Sequence, residues 1–411
     1  MRIAIVGSGV SGLVAAALLH RKHEITVFEA ADRAGGHVNT ISVPGEDGQD
    51  GFEVDTGFIV YNEANYPLFT RLLAQLGVAS QPTEMGFSVR CDNSGLEYNG
   101  SSLRQLFVQK RNLLRPSFHR MLRDIVRFNR AAPAAVQNGA EALTLGEYLE
   151  RARYSSRLAE HYLVPMGSAL WSIPRRTVLE MPAAFFVRFF EQHGMLQVEG
   201  RPRWRVVAGG SRRYVEALVA PFRHRIRLAT PVHEVRRLHA RVQVNAEPFD
   251  QVVLACHSDQ ALALLADPSP QEREVLGALP YQKNEVVLHT DSSILPRRRA
   301  AWAAWNYRVA GGADDPVSVT YDMNRLQSLT GERTFCVTLN PPPSIDPASV
   351  LYRTTYDHPV STLAGMRAQG QRDQISGVRG THYCGAYWGF GFHEDGVRTG
   401  VDVARQLGAE M

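Results

Sequence analysis

Six residues near the start of the chain, Gly7-Ser8-Gly9-Val10-Ser11-Gly12, fit the spacing G-x-G-x-x-G, and Glu29 follows twenty residues after Gly9. Such a turn holds a pyrophosphate. The first glycine turns the chain, the second lets backbone amides approach the anion, and the third lets a helix pack close to a strand. An acid at that distance accepts hydrogen bonds from a ribose. The surroundings agree: Ile3–Val6 reads as a buried strand before the turn, Leu13–His20 as a helix after it, and Ile25–Phe28 as the strand ending in Glu29. Helix-start amides and the helix dipole both favour bound phosphate. Beyond Glu29 and Ala30 stand Arg33, Gly35, Gly36 and His37, a second cation-and-glycine group suited to an anion.

This second group resembles the E-x-x-x-R-x-G-G-R element of the monoamine oxidase, phytoene desaturase and protoporphyrinogen oxidase flavoproteins, with His37 where they usually carry arginine. The resemblance recurs along the chain. Asp55-Thr56-Gly57, with Phe58 after it, is similar to the family's D-x-G turn beside the flavin. Ala208-Gly209-Gly210-Ser211 is similar to its G-G turn before a helix, and Val232 stands where a family valine meets the adenine. Gly385 and then Asp395-Gly396-Val397 resemble the closing flavin motif, which sets a helix N-terminus against the ring; Ala386 replaces a common acid there. The resemblance implies FAD and an FAD-dependent oxidoreductase, and because no cysteine or histidine stands in a clear attachment context the FAD is expected to be non-covalent. More narrowly, Gly35–Thr40, Leu288–Asp291 and Phe392–Gly396 resemble a bacterial subgroup labelled NAD/FAD-binding protein. Its members tend to be encoded beside cyclopropane-fatty-acid-synthase-like methyltransferases.

Around the flavin, Tyr356, Tyr387, Trp388, Phe390 and Phe392 are candidate walls of a substrate cavity, or plain core. Phe392 matches an aromatic-cage tyrosine of the amine oxidases and lacks that residue's polar edge. Where amine-oxidising relatives keep a lysine, the chain has Glu285; Lys283, two residues earlier, reads as a surface charge. His358 and His393 are the proton-transfer candidates, since imidazole titrates near neutral pH; the competing reading, which the sequence favours, is a hydrogen-bonded loop residue for each. No metal-ligand spacing is present, so no metal is expected.

These residues must be positioned by a fold in pieces. The chain reads as α/β: a Rossmann-type FAD-binding domain from 1–85, 205–275 and 375–411, and an inserted α+β substrate domain from 86–204 and 276–374, in the amine-oxidase manner. Residues 101–200 read as largely helical. Tyr66–Leu76 reads as a helix ending at Gly77, and Val286–His289, Val317–Tyr321 and Thr334–Leu339 as strands.

At 411 residues the chain is long enough for two domains. A formal charge of +4 gives no case for nucleic acid, and no stretch approaches the ~20 apolar residues of a membrane span. Four scattered cysteines without paired spacing point to a reducing compartment, the cytoplasm. Residues 104–130 carry eight Lys/Arg against one acid. Arg120, Arg123, Arg127 and Arg130 share one helical face, either a solvated face or a contact with the inner membrane surface. The expected reaction is removal of a hydride equivalent from an apolar, fatty-acyl lipid substrate. The alternatives are a small-molecule or polyamine oxidase, an isomerase or saturase, and an accessory flavin-binding protein.

Overall fold

The computed structural model describes residues 1–45, 51–137, 143–197, 200, 202–309 and 318–411. Ile3-Ala4-Ile5-Val6 is apolar on both sides, and both sides are covered. Ile3 and Ile5 face the helices Val10–Leu19 and His393–Gln406, which pack on one another. Ala4 and Val6 face the small antiparallel sheet 235–237, 242–244 and 247–249. Near-continuous apolar runs are what a parallel strand buried on two faces requires. Five strands lie in the order 226–227, 24–28, 2–6, 251–254 and 381–383, all parallel.

A second sheet has seven strands, in the order 350–359, 281–289, 336–339, 318–322, 305–309, 87–91 and 96–99. Only the pair 305–309 with 87–91 runs parallel. Helices between 116 and 192 form a third layer around Phe128, Trp171 and Phe186. The helix Ala183–Gln192 exposes Arg188, Glu191 and Gln192 on one side, and its other residues, Ala183–Val187, Phe189 and Phe190, are buried. A Thr144–Glu147 capping box starts the helix Leu145–Arg151.

The helix Pro67–Leu76 ends at Gly77, φ +65°, where the sequence puts its cap. The strand expected at 317–321 is Ser318–Asp322; Val317 lies outside the described residues. Two features differ from expectation. Val350–Pro359 is a ten-residue edge strand, so His358 sits at a strand end. Residues 363–374, expected on the substrate side, lie on the nucleotide side: Leu363–Gln369 packs on Pro270–Gly277, and Ala368 joins the core beneath the parallel sheet. Among the described residues no helix is long and apolar enough to cross a membrane.

Candidate active site

One cavity of about 1420 Å³ runs from the glycine turn into the seven-stranded sheet. That exceeds the roughly 300–1,000 Å³ of a drug-sized ligand pocket. At its first end the helix Val10–Leu19 has no acid in its first turn and no side-chain cap. Its leading amides at Val10 and Ser11 border the cavity. Gly9 has φ −68° and ψ 177°, a conformation open to any residue, and a Cβ built there meets nothing within 4 Å. Glycine is needed at this position for the empty space beside it. Gly12 is the opposite case: a Cβ would lie 2.1 Å from the Gly7 carbonyl oxygen. Glu29 accepts from the amides of Ser8 and Ala31, both at 2.9 Å. Arg33 donates to the carbonyls of Val38 and Gly36, bracing the loop that carries Gly35, Gly36 and His37.

His37 stacks on Tyr356, ring centroids 4.8 Å apart, with His358 at 5.4 Å and His257 at 6.3 Å. Its Nε2 is buried without a partner on the cavity wall. Burial, then the neighbouring imidazoles, push its pKa well below the ordinary value, so the ring is neutral. In the middle of the cavity, Thr56, Gly57 and Phe58 face Gly385, Tyr387 and the loop 391–393. His393 stacks on Phe58 at 3.7 Å, its Nε2 lies 2.6 Å from the Tyr214 hydroxyl, and burial lowers its pKa to about 3. His358 is lowered by burial to about 4, its Nδ1 paired with the Asn284 amide at 3.0 Å. The far end is walled by Met85, Phe87, Tyr98, Met166, Leu170 and Phe189. Phe189 stacks between His193 at 3.9 Å and Phe392 at 4.7 Å. Trp305 lines this end too, its indole N–H buried and unpartnered.

The family of flavin containing amine oxidoreductases matches residues 10–314, well over half of the chain. The chain belongs to that family. It is 26% identical over 342 residues to the flavin-containing monoamine oxidase AofH of Mycobacterium tuberculosis, across 78% of this chain and 70% of that one. Among solved structures it shares the fold of cyclohexylamine oxidase from Brevibacterium oxydans, with 16% identity, 99% of both chains covered and TM-score 0.70. It shares it equally with a CLA-producing fatty acid isomerase from P. acnes, with 15% identity, 99% and 98% covered and TM-score 0.69. This flavin containing amine oxidoreductase is an FAD-dependent oxidoreductase. The open space at Gly9, the free helix-start amides and the carboxylate of Glu29 fit the dinucleotide part of FAD.

Most of the expected site residues border the cavity of this amine oxidoreductase family member: Gly7–Ser11, Glu29, Ala30, Arg33, Gly35–His37, Thr56–Phe58, Val232, Tyr356, His358, Gly385, Tyr387, Phe392 and His393. Seven do not, each for a structural reason. Gly12 is consumed by helix–strand packing. Asp55 is buried beneath the loop, accepting from Ser211 N at 2.9 Å and Thr40 Oγ1 at 2.6 Å, and burial raises its pKa to about 6. Asp395 caps the last helix through the amides of Phe390 and Phe392. Gly396 gives room for Val10 and Ser11, and Val397 joins the core. Trp388 packs beneath the parallel sheet, and Phe390 packs against Phe185 at 5.0 Å. Lys283 is exposed and Glu285 pairs with Arg353, so neither enters the cavity. Nothing in the sequence marks Trp305, His257 or the methionine wall, because no local spacing identifies residues that only tertiary pairing brings together.

Proposed function

We propose that this FAD-dependent oxidoreductase removes a hydride equivalent from an apolar, acyl-chain-like substrate held at the far end of the cavity, with FAD bound non-covalently. The observation behind this is the placement of charge. The only carboxylates among the described lining residues are Glu29 and Asp357, both at the nucleotide end. An ammonium group at the far end meets methionine and aromatic surface with no counter-charge, whereas a hydrocarbon meets surface of its own polarity. The free indole N–H of Trp305 suits one acceptor oxygen on that substrate.

FAD, when bound, supplies the acceptor for the hydride equivalent. The chain's part is to exclude water, hold the substrate and take up a proton. Of the two histidines, His393 is fixed by Tyr214 and Phe58 and serves position. His358 is neutral at pH 7, and its Nε2 has no partner among the described residues, so of these two it is the one free to accept a proton. Cys256 is the one cysteine among the described lining residues. It lies against the Gly7 turn, and burial raises its thiol to about 12, which suits it poorly to covalent attachment.

The fold relative named as a fatty acid isomerase supports an acyl substrate, and the monoamine oxidase relative supports an amine. Anaerobic bleaching of the flavin separates them. Lipid extracts should bleach it while small primary amines and polyamines leave it oxidised. Bleaching by amines alone makes the chain an amine oxidase, and a flavin that no donor bleaches makes it an accessory protein.

A further inference from the structure

We propose that residues 103–130 and 297–299 form a surface that docks the protein onto an anionic lipid bilayer. Nine large hydrophobic side chains are exposed among the described residues, and four fall in this one stretch: Leu103 at 77%, Leu113 at 52%, Leu114 at 88% and Val126 at 43%. Burying a leucine is favourable, so a cluster of exposed ones is a cost to a protein that never covers them.

Cations surround these leucines. Arg120, Arg123, Arg127 and Arg130 lie exposed along one face of the helix Pro116–Gln137, and Val126 shares that face. Arg127 is engaged with Asp124 and the Tyr154 ring. Arg104, Lys110, Arg120, Arg123 and Arg130 form no ion pair among the described residues. The only acids between residues 97 and 137 are Glu97 and Asp124, both buried. Folding enlarges the patch beyond what the sequence run shows. Glu97 accepts from the backbone amides of Arg297 and Arg298 at 2.9 and 3.2 Å, while Gln109 and Arg111 both donate to the Gly95 carbonyl. The edge strand Leu96–Asn99 therefore joins the exposed Arg297-Arg298-Arg299 triplet to the 103–114 segment, and the helix Leu103–Leu106 packs on Arg299–Ala301.

Exposed leucines ringed by arginines match a bilayer surface, where apolar side chains enter between headgroups and guanidinium groups meet lipid phosphate. A nucleic acid would use the cations and leave the leucines without a role. The surface also adjoins the cavity. Tyr98, Gly100 and Ser101 line it, Ser101 is exposed, and Leu103 follows two residues later. Docking here sets the rim of the cavity against the membrane, whichever substrate the cavity takes.

The test is co-sedimentation of the FAD-loaded chain with vesicles of phosphatidylcholine alone and of phosphatidylcholine mixed with phosphatidylglycerol, at low and high salt. Wild type should bind the mixed vesicles and release as salt rises. Leu113→Asp with Leu114→Asp should weaken binding about tenfold or more, and Arg104→Ala or Lys110→Ala about fivefold each. Retained flavin and an unchanged melting temperature show that the variants are folded. Three results overturn the proposal: no binding to mixed vesicles at low salt, undiminished binding by the folded leucine variant, or leucine-independent binding of duplex DNA or RNA that matches the vesicles.

Discussion

The two ends of the cavity do their work with different parts of the chain. At the nucleotide end the contacts come mainly from residues 7–37, as backbone amides and the Glu29 carboxylate, and side chains matter mainly by being absent. At the far end the contacts are side-chain surfaces from segments as distant as Met85, Met166, Phe189 and Trp305. The first arrangement recognises a charge and a shape that do not vary; the second sets a polarity and a length that can. Substitutions at the first end should act on cofactor retention, and those at the second on substrate.

The largest effect should come from two neighbouring glycines that fail in different ways. Gly12→Val drives a side chain into the Gly7 carbonyl and should yield no soluble folded protein. Gly9→Val places its side chain in open cavity, so it should give a folded protein with native far-UV circular dichroism and no flavin. Flavin-bearing Gly9→Val protein would show that phosphate does not approach there.

Next in size, His358→Gln should slow substrate-driven flavin reduction about 100-fold with FAD content intact, while His393→Gln stays within a few-fold. Equal rates for both variants and wild type would remove His358 from proton transfer. Glu29→Ala should weaken FAD about tenfold or more, through loss of charge-assisted bonds of about 1.5–3 kcal/mol each, as read by flavin release on dilution.

The smallest effect is on pH dependence. His393 and His358 have folded pKa values of about 3 and 4, lowered by burial, against about 6.5 unfolded. Between those values the unfolded chain binds more protons, so stability holds above pH ~7 and falls as pH drops below ~6.5. His358→Gln should flatten that fall by up to one proton in a series of urea midpoints; an unchanged slope would mean that His358 is already charged in the folded protein.

The contrast between the ends also explains what the sequence made legible. Gly7–Gly12, Glu29 and Gly35–His37 are local, and their spacing is dictated by a strand, a turn and a helix, so they were readable. Asp55 and Asp395 sit inside the motifs and so read as cofactor contacts, but their carboxylates turn inward to hold Ser211 and cap a helix. The strand Val350–Pro359 is not legible because Tyr356 is the only one of its ten residues that is buried, which leaves no apolar pattern in the sequence. Trp388 and Phe390 read as walls because they neighbour the closing loop, yet of the aromatic residues there only Tyr387 and Phe392 reach the cavity. The apolar end carries no signature at all, since Met85, Met166 and Trp305 meet only after seven strands have paired.

The claim that one cavity holds FAD at its glycine end and an apolar chain at the other is tested most directly by a fluorescent fatty acid titrated into the FAD-loaded protein. The probe should saturate at one per chain, be displaced by acyl chains and not by amines, and lose its site in Ala169→Trp, where the new ring fills the far end while the flavin stays bound. Failure of the probe to bind, displacement by amines, or loss of flavin together with the probe would contradict it.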